Sequence, residues 1–172
     1  MIRSARTLPR VLDPAEADLL MASLRTWRDR AMIQAMLLGG LRRCEVLGLG
    51  LGDINPGERR VFIADGKGGH QRITPISSRF FDTLAEYLSC ERPDTDTDRV
   101  FVVLKGPNRG RPLTAAGLDQ IMRGARDRAG LAHATCHELR HTCLTRLRRV
   151  DVGCQRVQKG TSVASSSWVG SL

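Results

Sequence analysis

Two short stretches, His137-Glu138-Leu139-Arg140-His141 and Gly40-Leu41-Arg42-Arg43-Cys44-Glu45, carry the side chains best suited to chemistry. The first reads in two ways. As H-E-x-x-H it matches a zinc-hydrolase pattern, with His137 and His141 one helical turn apart as ligands and Glu138 as general base. That reading needs a third protein ligand. Position 147 is Leu147, no glutamate follows Glu138, and Asp151 is the only acid left to serve.

The same spacing suits a phosphate. On a helix His137, Arg140 and His141 share a face, with Arg140 about 4.5 Å further along the axis than His137. A guanidinium can give two parallel hydrogen bonds to phosphate oxygens and stays charged at any working pH. Two converging arginines, Arg42 and Arg140, can therefore neutralise a phosphoryl transition state, while a nearby histidine exchanges the nucleophile's proton and a lysine on a loop protonates the departing oxygen. Lys67, set in Asp65-Gly66-Lys67-Gly68-Gly69, is such a lysine, and only Lys105 and Lys159 accompany it in a chain otherwise charged with arginine. Tyr87 is the one tyrosine; it falls in an amphipathic run with Leu84 and Leu88 and reads as a packing residue. Ser165, Ser166 and Ser167 lie in a serine-rich end and read as solvated, so no nucleophile is assigned.

The net charge of +9, from 27 Lys and Arg against 18 Asp and Glu, points to a polyanionic partner, because clustered cations gain affinity by displacing counterions from nucleic-acid phosphates. The five cysteines are odd in number and never spaced C-x-x-C, which indicates neither a disulfide framework nor a zinc ribbon. No apolar run is long enough to span a membrane, and the start of the chain lacks the apolar stretch of a secretory signal. These features predict a soluble cytoplasmic protein. At 172 residues one domain with a sizeable core is the default.

The elements that must position these residues can be placed from caps and periodicity. Asp13-Pro14-Ala15-Glu16 is a capping box opening a helix, and a second apolar-periodic run over residues 28–38 stops at Gly39-Gly40, which places Arg42 just past a sharp turn. Cys44 to Leu47 reads as a short helix leading into a polar loop around Asp53 to Gly57. Residues 60–64 and 71–76 read as a hairpin with Lys67 at its tip. Helices are expected over 77–88 and 114–129, with a short strand at 100–104 between them. Thr135-Cys136-His137-Glu138 is another capping box and opens a helix that runs through Leu147. From Val150 the helical pattern fades and serines accumulate, so residues 1–149 read as the folded unit and 150–172 as a divergent, disordered tail.

In this order the motifs resemble the catalytic domain of the tyrosine recombinases, or phage integrases. Gly40-Leu41-Arg42-x-x-Glu45-Val46-Leu47-x-Leu49-x-x-x-Asp53-Ile54 is similar to the family's first arginine block, Gly66-Lys67-Gly68 before Arg72-x-x-Pro75-Ile76 to its hairpin lysine, and His137-x-Leu139-Arg140-His141-Thr142 to its second arginine block. The resemblance runs from about Arg6 to Arg149. It implies an α+β, mainly α fold with a small β-hairpin or sheet. It also implies that Arg42 and Arg140 clamp the scissile phosphate, that Lys67 is the general acid for the 5′-hydroxyl, that His137 assists proton transfer and that Glu45 braces the first arginine. His141 is expected to orient or pack. DNA is the implied partner, with other recombinase subunits as further candidates, and no metal, cofactor or membrane is called for.

Two departures shape the functional reading. The family's Leu-Gly-His block and nucleophilic tyrosine would fall near Val163 and Leu172, and neither is there; Trp168 stands in the wrong context to replace the histidine. The chain also opens on the segment that begins the catalytic domain in the family, which implies that the amino-terminal clamping domain is absent and DNA affinity reduced. The first reading is thus a fragment of a DNA-breaking and rejoining enzyme, from a bacterium, phage or mobile element and with a frameshifted or truncated end, unable to start the reaction unless a partner supplies the nucleophile. The alternatives are a non-catalytic DNA-binding remnant that interferes with an intact recombinase and, more remotely, the zinc hydrolase.

Overall fold

The computed structural model describes residues 10–64 and 70–160, with the last eleven described by backbone alone. Lys67 lies outside the described residues. Helix α1, Pro14–Ser23, begins as its sequence dictates: the Asp13 carboxylate accepts from the Glu16 N–H at 2.8 Å and the Glu16 carboxylate accepts from the Asp13 N–H at 3.0 Å. Helix α2, Trp27–Gly39, is capped by the Thr26 hydroxyl and, across the fold, by Glu91, whose two oxygens accept from the Trp27 and Arg28 N–H groups at 2.9 and 3.0 Å.

Apolar residues lie nearly all round α2, and a helix so built belongs inside. Ala31, Met32, Ile33, Ala35 and Met36 are fully buried, with helices α4, Ser78–Glu86, and α6, Cys136–Gly160, against them. Helix α1 lies against α5, Ala115–Ala129. Between α2 and α4 the chain makes α3, Arg43–Gly48, a single 3-10 turn, and a three-stranded antiparallel sheet in the order β1 (Ile54–Asn55), β2 (Arg60–Ile63), β3 (Arg72–Pro75). Val61 and Ile63 point into the core while Arg60 and Phe62 point out, the alternation expected of a sheet with one covered face. The fold is the mainly helical α+β type that the resemblance implied. Among the described residues no helix is long and apolar enough to cross a membrane.

Two local expectations are corrected. The stretch Val100–Leu104 is not a strand: its bonds are shared among loops, with Val100 N–H on Leu49 O, Val103 N–H on Arg111 O, and single bridges at Arg99 and Val102. Pro112, the partner of Val102, has no N–H with which to extend a ladder. The loop around Asp53 contains β1, too short to show alternation and visible only through its pairing of Ile54 with Val61. Helix α6 is described as far as Gly160, past the point where the sequence pattern fades. A helix already nucleated extends at one hydrogen bond per residue, and Gln155, Arg156, Gln158 and Lys159 are good helix formers. Residues 161–172 lie outside the described residues.

Candidate active site

Gly40 ends α2 in the left-handed conformation, φ 64°, and its N–H and that of Leu41 return to the carbonyls of Met36 and Ala35. With Leu41 then fully buried, the chain leaves the turn in one direction and delivers Arg42 as the extended residue before α3. Three residues on, Glu45 turns back. Its carboxylate accepts the Arg42 backbone N–H at 2.7 Å and the Arg42 Nη1 at 2.9 Å.

The Glu45 side chain is fully buried and serves three cations. Arg72, at the start of β3, forks onto it with Nη1 and Nη2 at 2.7 and 2.8 Å. Arg140, from the second turn of α6, brings Nη1 to 3.7 Å and also donates to the carbonyl oxygen of Gly40. Burial alone would raise the Glu45 pKa. The Arg72 hydrogen bonds, the Arg42 N–H and the charges of these arginines outweigh it and bring the carboxyl down from 4.5 to about 2. Arg140 is lowered, first by burial and then by the neighbouring charge of Arg42. Three guanidiniums around one carboxylate leave a surplus of positive charge at a half-open surface, the electrostatics of an anion site.

Arg42, His137 and Arg140 line one cleft of about 730 Å³, together with Arg43, Cys44, Asp119, Thr135 and Cys136. Arg43 is held by Asp119 at 2.6 Å. His137 is exposed at the rim, and His141 lies behind it with ring planes 11° apart and centroids 6.1 Å apart. Burial, reinforced by Asp119, pushes the Cys136 thiol up to about 11 and so favours the protonated form. The structure therefore brings together Arg42, Glu45, His137 and Arg140, with His141 adjacent.

Glu138 is occupied as a cap. Its carboxylate accepts the Thr135 N–H at 2.8 Å while the Thr135 hydroxyl accepts the Glu138 N–H at 3.2 Å. Among the described residues no three His, Cys, Asp or Glu side chains gather as a metal site, so the H-E-x-x-H pattern finds no ligand set there. Tyr87 is fully buried; its hydroxyl donates to Val100 O at 3.0 Å and accepts from Val102 N–H at 3.2 Å, its ring stacks on Phe101, and burial raises its pKa.

Arg72 was not singled out as a site residue from the sequence. The signal was the hairpin register, in which Arg72 pairs with the buried Ile63 at the end of the ladder, where an arginine needs a partner.

Comparison with known proteins places the sequence and the fold. A family model described as the phage integrase family matches residues 10–169, across the fading of pattern at Arg149. The chain is 33% identical over 142 residues to a tyrosine recombinase XerC of Pelobacter propionicus, covering 81% of this chain and 45% of that protein, and 32% identical over 161 residues to the XerC of Corynebacterium efficiens, covering 90% and 50%. It spans about half the length of these curated relatives. Among solved structures it is similar to XerA recombinase, with a TM-score of 0.74 and 27% identity over 84% of this chain and 52% of that one. It is also similar to XerH site-specific recombinase bound to its difH substrate, with a TM-score of 0.70 and 25% identity over 94% and 49%.

Proposed function

The chain belongs to the phage integrase family of tyrosine recombinases, and on that footing we propose that it carries the phosphate-holding site of a site-specific DNA strand breakage and rejoining reaction. The observation that carries this reading is the buried carboxylate of Glu45, which gathers Arg42 and Arg140, far apart in the sequence, onto one cleft with His137 at its rim. XerH site-specific recombinase, solved bound to its difH substrate, supports DNA as the ligand.

In this reaction the nitrogens of Arg42 and Arg140 not turned to Glu45 take the non-bridging oxygens of the scissile phosphate and stabilise the charge that builds in the transition state. A tyrosine hydroxyl attacks phosphorus, forming a 3′-phosphotyrosyl bond as the bond to the 5′-oxygen breaks. Lys67 gives that leaving oxygen its proton and His137 assists transfer at the nucleophile. Glu45 orients, and His141 steadies the ring in front of it. The covalent intermediate keeps the phosphodiester energy, so rejoining needs no nucleotide, metal or other cofactor.

A second reading rests on Tyr87. The one tyrosine in these 172 residues has both hydrogen-bonding capacities of its hydroxyl used inside the core. The polypeptide as it stands therefore binds DNA without cutting it, and would act on recombination by occupying a site or by meeting an intact recombinase subunit that supplies the nucleophile.

Duplex binding followed by fluorescence anisotropy tests the shared part of both readings. Affinity is expected to be sequence-tolerant and to fall steeply between about 50 and 200 mM salt, since phosphate contacts dominate. Arg42→Ala and Arg140→Ala should each weaken it and lower the salt slope by about 1. Affinity indifferent to salt would sink the phosphate assignment.

A further inference from the structure

We propose that Arg72 is a positioning residue of this site: by holding the Glu45 carboxylate with both terminal nitrogens, it fixes where Arg42 and Arg140 present their remaining donors. The inference rests on the reading that those two arginines hold a phosphate.

The three cations use Glu45 differently. Arg72 commits both Nη1 and Nη2 to it, the two-pronged geometry that a planar guanidinium and a planar carboxylate share. Arg42 gives it one side-chain hydrogen bond, from Nη1, and Arg140 approaches it to 3.7 Å while donating Nη1 to the Gly40 carbonyl. Both line the cleft, and Arg72 does not. Arg72 thus commits both terminal nitrogens to the carboxylate, while Arg42 gives it one and Arg140 gives it no hydrogen bond.

The backbone supports this division. Arg72 opens β3 and pairs with Ile63, so the sheet holds its Cα, and the fork reaches a carboxylate 27 residues earlier in the chain. Glu45 is fully buried, and a buried carboxylate must be satisfied. Without the Arg72 fork its lone pairs would be met by drawing in further N–H groups of Arg42 and Arg140, the donors the cleft needs.

The salt slope of DNA binding counts engaged phosphates and reads this directly. Arg72→Lys keeps the charge and loses the fork. The expected result is a slope lower by about 1 in Arg72→Lys, and no change when the same substitution is made in a Glu45→Gln background, where no carboxylate remains to be held. An unchanged slope in Arg72→Lys overturns the proposal, because charge alone would then suffice. An equal drop in both backgrounds also overturns it, marking Arg72 as a direct phosphate ligand.

Guanidinium NMR of the unmodified chain gives a reading independent of how the variants fold. Slow Nη rotation at Arg72 in the free protein, with its signals unmoved when duplex DNA shifts those of Arg42 and Arg140, is expected; a freely rotating Arg72 overturns the proposal. If the unmodified chain bound no duplex the functional reading would fall, and the free-protein spectrum would still decide the Arg72 contact.

Discussion

Glu45 ties stability to pH. Its pKa is 4.5 as an ordinary carboxyl and about 2 in the fold, so the folded state favours the ionised form. The stabilisation is complete above 4.5 and is lost as pH falls through about 2, because the folded site then takes up the proton that the unfolded chain already holds. The linkage is on the order of 3 kcal/mol. Glu45→Gln, which cannot titrate, is expected to show a flatter loss of stability across that window in urea melts at stepped pH, and to be less stable than the native chain at neutral pH because three guanidiniums lose their counter-charge. Parallel acid limbs would contradict this account. At Tyr87 the hydroxyl joins a carbonyl and an N–H of one buried segment. Tyr87→Phe strands both and should cost about 1–3 kcal/mol by chemical denaturation while leaving DNA affinity unchanged.

At the level of elements, the turn between α2 and α3 decides where the first arginine goes. Its two glycines are needed for different reasons. A Cβ on Gly39 would stand 2.7 Å from Ile76 Cδ1, so that position is reserved by space. A Cβ on Gly40 would meet Cys143 Sγ at 3.4 Å, an ordinary contact, but Gly40 sits at φ 64°. Gly40→Ala should therefore destabilise by about 1–2 kcal/mol through backbone strain alone. Because Arg140 donates to the Gly40 carbonyl, the same substitution is expected to weaken DNA binding as well. Thermal melts and anisotropy on one sample check both, and a loss of stability with binding intact would separate the turn from the site.

For the molecule as a whole, the net charge of +9 favours a polyanionic partner, and the proposed phosphate site lies in the cleft lined by Arg42, His137 and Arg140. Holding charge is not the same as attacking phosphorus. The 172-residue chain is expected to form no covalent adduct with a nicked suicide duplex, because guanidiniums can stabilise charge but cannot replace the attacking oxygen. An adduct mapped to Tyr87 or to a serine from Ser165 to Ser167 would overturn that expectation. Denaturing gel electrophoresis of labelled duplex makes the distinction.

Local signals were legible in the sequence, because their physics spans only a few residues. The capping boxes at Asp13 and Thr135, the glycine stop of α2 and the alternation around Val61 and Ile63 place Arg42 after a turn and Arg140 on the face of a helix. The order of the arginine blocks around the hairpin was enough to reveal the family. What needed the tertiary structure depends on groups far apart in the chain: the Arg72 fork on Glu45, the Glu91 cap on α2, the two-residue strand β1, and the Val100–Leu104 stretch whose bonds go to loops. Burial of the Tyr87 hydroxyl belongs with these, since sequence periodicity placed the ring in a packed face and said nothing of the carbonyl and N–H that the hydroxyl would meet. Periodicity and capping report how a segment folds on itself; which distant carboxylate an arginine reaches is decided only when the core closes and a buried charge must find its partners.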